Sequence, residues 1–281
     1  MKNIPKLKAW VNGKVIDQDQ AVVSAVSPGF QYGAGLFETI RVDRGKIFYL
    51  KEHVSRLNMA WEKLFFHAPP DIAWESIILS LIHENHLQNI SAAVKILMSK
   101  DDPEDDKKVF CAAFTRPYVH RLANLAKNGL DKKGLDLITY PQPRQSPLAD
   151  FKTLNYLYYN RAGQFAKDNG GDEAIILNPD FTISETNTAN IFAIKNQTVI
   201  IPESDHVLGG VTIKSVLTIL SNKGYGICKK SMLKEQFYLY SNIIVTNALM
   251  GAVKVLSIDN KKVQHKQRIC SIINEQLFNL V

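Results

Sequence analysis

The chain has 281 residues, 46% of them hydrophobic and 22% charged, and carries a formal net charge of +7 at neutral pH. This is the composition of an ordinary globular protein, and no apolar run approaches the ~20 residues that a membrane-spanning helix needs. The 34 lysines and arginines are scattered rather than gathered in a basic helical stripe interleaved with aromatics, which argues against nucleic acid as a partner.

The start, "MKNIPKLKAWVNGKVID", is basic but lacks the continuous apolar stretch of a secretory leader, so the expected compartment is the cytoplasm. "KAWVNGKVI" reads as two short runs around an Asn-Gly turn, a hairpin signal. "LFETIRVDRGKIFYL" is a second hairpin turning at Asp43-Arg44-Gly45. A helix follows in "KEHVSRLNMAWEKLFF", with Val54, Leu57, Trp61, Leu64 and Phe65 at helical spacing and Pro69-Pro70 as the stop. "AWESIILSLIHENHL" is a second helix; "AAVKILMS" and "KVFCAAFT" read as strands. The polar, turn-rich "RPYVHRLANLAKNGLDKKG" suggests an interdomain connection. The expected division is a small N-terminal domain at 1–118, a linker at 119–134, and a larger C-terminal domain at 135–281.

The second part opens with the strand "LDLITYP" and then "QPRQSP", whose prolines forbid regular structure. Lys152 stands ahead of a helix that runs to about Asn169 and stops at Gly170-Gly171. "EAIILN", "TISETNTANIFAI" and "TVIIP" read as strands joined by turns. "VTIKSVLTILSNKGYG" is helical through Ile213, Val216, Leu217 and Leu220; "SNIIVTNALMGAVKVLSID" is strand-rich; the end is a helix through Ile269, Ile272, Ile273 and Leu277. The economical picture is α+β: two domains, each a mixed sheet with flanking helices.

Several motifs fail on their spacing. "GAG" at 33–35 is not a dinucleotide fingerprint, "GGVTIKS" lacks the gap of a P-loop, and "HENH" at 83–86 lacks the pair of a zinc-protease helix. Cys111, Cys228 and Cys270 form neither a disulfide frame nor a zinc knuckle, and no metal site is expected. What remains forms one chemistry. Glu185 interrupts a hydrophobic strand pair, and a buried carboxylate needs a cationic or protonated partner. "LGGVTIKS" puts Val211 and Thr212 at a helix N-terminus, where amides and dipole favour a phosphate. Arg56 lies off the apolar stripe of its helix, able to reach the same anion. Singly, Lys152 and Arg56 are by default solvated, Glu185 an exposed strand residue, and Gly209-Gly210 a turn. Together, an amine, a buried acid and a phosphate cup are the parts that pyridoxal 5′-phosphate requires.

In five segments the chain resembles the class IV (fold type IV) pyridoxal-phosphate enzymes: branched-chain aminotransferases, D-amino acid aminotransferases and 4-amino-4-deoxychorismate lyases. The segments are "YGAGLFETIRVDRGKIFYLKEHVSRL" (32–57), "FKTLNYL" (151–157), "ISETNTANIF" (183–192), "LGGVTIKSV" (208–216) and "VTNALMGAVKV" (245–255). The resemblance implies that Lys152 carries the cofactor and acts as catalytic base. It also implies that Glu185 pairs with the pyridine nitrogen, and that Arg56, Val211 and Thr212 hold the phosphate, with Asn247 and Ala248 beside it. A homodimer and a small amino-acid-like substrate follow from the same likeness. Ala248 in "NALM" resembles the lyase branch, which makes 4-aminobenzoate and pyruvate for folate biosynthesis; "KTLN" after the lysine resembles lyases and D-amino acid aminotransferases alike, and Phe37 stands where the latter tend to carry Tyr. The alternative is an aminotransferase for branched-chain L-amino acids or D-amino acids. Two departures stand out: "KDDPEDDKK" is acidic where the family tends to a basic, glycine-rich loop, and Lys254 stands where Pro is usual.

Overall fold

A computed structural model describes residues 6–130, 132–265 and 268–279. The chain divides into two compact units, Met1–Val119 with Phe151–Asn155, and His120–Asp150 with Tyr156–Val281.

The first unit contains β1 (Lys8–Val11), β2 (Lys14–Asp17), α1 (Pro28–Tyr32), β3 (Gly35–Asp43), β4 (Lys46–Ile47), α2 (Leu50–Phe65), α3 (Trp74–Glu84), β5 (Ser91–Lys100) and β6 (Val109–Pro117). Its strands run in the order β2-β1-β6-β5-β3-β4. Every pairing is antiparallel, so this sheet is not mixed as expected. The reason is connectivity: hairpins join most neighbours, and the two helices between β4 and β5 return the chain in the opposite sense. Leu36, Ile40 and Val42 of β3 and Val94, Ile96 and Met98 of β5 meet Trp61, Ile78 and Leu81 of the helices in one core. Strand alternation sends Phe37 and Thr39 to the other face, where Thr39 is in register with Lys95.

The segment 151–155 completes the edge of β3. Phe37 N donates to Lys152 O at 2.9 Å, Leu154 N donates to Gly35 O at 2.9 Å, and Leu36 bridges Thr153. It therefore counts with the first unit although the sequence reading placed it inside 135–281.

The second unit contains α4 (Arg121–Lys127), β7 (Leu135–Thr139), α5 (Leu157–Asp168), β8 (Glu173–Leu177), β9 (Ile183–Thr186), β10 (Asn190–Lys195), β11 (Thr198–Pro202), α6 (Val211–Asn222), β12 (Gly226–Lys230), α7 (Lys234–Phe237), β13 (Ile243–Asn247), β14 (Gly251–Ile258), β15 (Lys261–Lys262) and α8 (Ile269–Leu277). The sheet order is β12-β11-β10-β13-β14-β7-β8-β9, with β15 on β14. It is mixed: β11–β12, β14–β7 and β7–β8 are parallel. Ala162 and Ala166 of α5 pack on Ile138, Ala174 and Ile176, while α6 and α8 pack on β13 and β14. The stretch 119–134, expected as a linker, carries α4, because Leu122 and Leu125 pack against the main core of this unit. Among the described residues no helix is long and apolar enough to cross a membrane.

Candidate active site

The expected residues fall in both units: Lys152 and Arg56 in the first, Glu185, Val211, Thr212, Asn247 and Ala248 in the second.

In the first unit, the backbone pairing of 152 with 37 fixes where the lysine side chain starts. Its Nζ lies 4.5 Å from the centroid of the Phe37 ring, and Lys95 Nζ lies 4.6 Å from the same centroid. Partial desolvation, followed by the charge of Arg116, lowers the Lys95 pKa. Two amines thus share one aromatic ring on the face of the sheet opposite the main core. Nothing in "AAVKILMS" distinguishes Lys95 from a solvated strand lysine; only the register with β3 reveals it.

Arg56 has a second commitment that its helical position did not announce. Its Nε and Nη2 each donate at 2.7 Å to the two carboxylate oxygens of Glu38, and His53 Nδ1 lies 2.8 Å from Oε2. Glu38 is 1% exposed. Burial pushes its pKa up, but the His53 hydrogen bond and the Arg56 charge outweigh it and bring the carboxyl down to about 2. The guanidinium is thereby held in one orientation by a bidentate pair.

In the second unit Glu185 is buried on β9, and its cationic partner is Arg144 of the "QPRQSP" loop. Arg144 Nη1 donates to Glu185 Oε1 at 2.6 Å, and the Tyr159 hydroxyl donates to the same oxygen at 3.1 Å. Arg144 also donates to Ser184 Oγ at 3.0 Å and to the carbonyl of His206. Burial and then the Glu185 charge raise the Tyr159 pKa, so it stays a hydroxyl donor. Sequence reasoning demanded a partner for Glu185 but had no means of choosing among 34 cations.

The phosphate cup expected at "LGGVTIKS" is the N-terminus of α6, with Gly210 as the cap residue and no side chain capping it. A Cβ on Gly210 would collide with the Asn190 side chain, so glycine is required for this close approach. Asn190 is in register with Thr246 of β13. Thr246 is 1% exposed, and its Oγ1 has no hydrogen-bond partner among the described residues. A buried hydroxyl without a partner beside an uncapped helix start fits a phosphate group that accepts from both. Asn247 is occupied locally: its Oδ1 accepts from Leu249 N at 3.1 Å and Met250 N at 3.0 Å, and its Nδ2 donates to Thr188 O at 3.2 Å. It shapes the turn that presents Ala248.

The first unit offers an amine on a strand edge, and the second an arginine-held buried acid and an uncapped helix start near a buried hydroxyl, groups of the kind that pyridoxal-phosphate enzymes use. The description of the class IV aminotransferases matches residues 35–258, and the chain belongs to that family of pyridoxal-phosphate-dependent enzymes. It is 27% identical over 271 residues to a Methanocaldococcus jannaschii protein named as a candidate branched-chain-amino-acid aminotransferase, covering 93% of this chain and 91% of that one. The branched-chain aminotransferase of Thermoproteus uzoniensis, solved with norvaline, has the same fold with a TM-score of 0.84 at 23% identity, covering 97% and 94% of the two chains. A Legionella pneumophila structure, named as a candidate 4-amino-4-deoxychorismate lyase, gives a TM-score of 0.82 at 24% identity, covering 93% and 96%.

Proposed function

We propose that this enzyme is a lyase converting 4-amino-4-deoxychorismate to 4-aminobenzoate and pyruvate. The observation that carries the reading is the pair Lys95 and Lys152 around Phe37, with Arg116 adding to the positive field. An aliphatic substrate side chain gains nothing from a second amine beside the reacting one. A substrate with a carboxylate beyond those of an ordinary amino acid gains a counter-charge there. Lys95 and Arg116 take the role that the acidic "KDDPEDDKK" loop does not fill.

Bound pyridoxal phosphate supplies an electron sink for negative charge at the substrate carbon. Lys152 is the attachment amine and afterwards the general base: it takes the ring proton whose loss lets pyruvate leave and the ring become aromatic. Glu185, oriented by Arg144 and Tyr159, is the acid that would face the pyridine nitrogen. The amides of Val211 and Thr212, the Thr246 hydroxyl and the Glu38-oriented Arg56 would hold the phosphate, with Ala248 leaving room beside it.

The second reading is transamination of a branched-chain amino acid, favoured by the name of the Methanocaldococcus jannaschii relative. One assay panel separates the two. The lyase releases 4-aminobenzoate from aminodeoxychorismate without an added oxo acid. Faster conversion of L-leucine or D-alanine, dependent on 2-oxoglutarate, overturns the lyase reading.

A further inference from the structure

Lys254 is the departure in "GAVKV" that cofactor chemistry leaves unused. Its neighbours on β14, Val253 and Val255, enter the core, and Lys254 points to the opposite face. Parallel pairing of β14 with β7 begins at Val255 and Leu135. This brings Lys133 to the same end of the strand pair. A Cβ on Gly134 would lie 2.8 Å from Lys254 Cγ, so the lysine stem crosses a backbone kept bare by glycine. Arg268 approaches from the other side, immediately before α8. These cations, with His120, His265 and Ser271, line a cavity of about 460 Å³ that no carboxylate borders among the described residues.

Some cations elsewhere in this unit are matched. Lys132 pairs with Asp136 and Asp172, Arg121 with Glu173, and Arg144 with Glu185. Lys133, Lys254 and Arg268 have no ion pair among the described residues. Gathering like charges at a concave surface, with the positive end of a nine-residue helix beside them, is unfavourable unless a counter-charge joins them.

We propose that this cavity is an anion-binding site for a small phosphate-bearing polyanion, distinct from the residues assigned to the cofactor. Cations converging from three chain segments, together with the Ser271 hydroxyl, suit an ion with several oxygens better than a single planar carboxylate. The lining also grips the strand that follows Ala248. Asn274 exchanges hydrogen bonds with Ala252 at 2.7 and 2.9 Å, and His120 Nε2 lies 3.1 Å from Met250 O.

His265 reports on the cavity. Burial lowers its pKa, a hydrogen bond to Val255 O offsets part of this, and the Lys254 charge lowers it further. The experiment follows the His265 imidazole resonance of the holoenzyme by NMR, assigned with His265→Gln, during addition of pyrophosphate, inorganic phosphate or glycerol 3-phosphate. The expected result is a saturable shift with at least one of the three, absent with chloride at matched ionic strength. Lys254→Met should weaken the response by at least about tenfold at an unchanged melting temperature. If that variant does not fold, Arg268→Gln, an exposed change, should weaken it by about threefold or more. A shift that follows ionic strength alone, no saturable shift with any of the three, or the same response in the folded variant overturns the site.

Discussion

Each unit buries a carboxylate against an arginine, and the two are built differently. Glu38 belongs to a closed triad in the first unit, with both oxygens taken by Arg56 and one also by His53. Glu185 in the second unit has Arg144 and Tyr159 converging on the same oxygen, Oε1. The first arrangement comes from residues on a strand and the helix that follows it, "FETIR" and "HVSR". The second relies on an arginine from an irregular, proline-rich loop. A triad closed by neighbouring elements is chiefly a device of stability that fixes Arg56 in place. A carboxylate met by a loop arginine and a helix tyrosine is set in place by groups far from it in the chain.

The largest expected effect leaves both carboxylates untouched. Lys152→Ala should lower turnover by roughly 10⁴-fold or more, since it removes both the attachment amine and the base. Borohydride reduction of the wild type followed by peptide mapping should place the cofactor on Lys152; label on a different lysine overturns the scheme. Next, Arg56→Ala leaves buried Glu38 with His53 alone and without its bidentate cation, and should cost about 3–5 kcal/mol in urea unfolding of the apoenzyme, besides weakening cofactor binding. A variant of unchanged stability would mean that Glu38 is not held in this way.

The same triad sets an acid limit. Glu38 is lowered from 4.5 to about 2, so its contribution is fully present above about pH 4.5 and is lost as pH falls toward about 2. That contribution is on the order of 3 kcal/mol, and in Arg56→Ala the acid limb of the stability profile should flatten. Arg144→Leu should cost less, about 1.5–3 kcal/mol, because Glu185 keeps the Tyr159 hydroxyl. Its mark should be a changed pH dependence of the visible cofactor absorbance; a loss equal to that of Arg56→Ala would erase the distinction drawn above. The smallest effect concerns substrate alone. Lys95→Met should raise KM for aminodeoxychorismate about tenfold with kcat little changed, and an unchanged KM would remove Lys95 from substrate binding.

The sequence made the local signals legible. The Asn12-Gly13 hairpin, the helix through Leu57 and Trp61, the α6 start at Val211 and Lys152 ahead of α5 all depend on residues close in the chain. What escaped it depends on distant packing. α4 lies in a polar stretch where only Leu122 and Leu125 face the core. β12, "GICKK", is an exposed edge strand with no alternation to announce it. Arg144, Lys95 and the Thr246 hydroxyl acquire their meaning from register and loop placement, neither of which leaves a trace in spacing.

The insertion of 151–155 into the first unit bears on synthesis. A nascent chain ending at Val119 has nearly all of that unit yet leaves the Gly35 carbonyl and the Phe37 amide without the strand that satisfies them. The edge closes only after Asn155 has left the ribosome, more than thirty residues of the second unit later. The segment that carries Lys152 is thus the last piece of the first unit to arrive, and a prematurely terminated chain exposes an unpaired strand edge, the kind of surface on which chains aggregate.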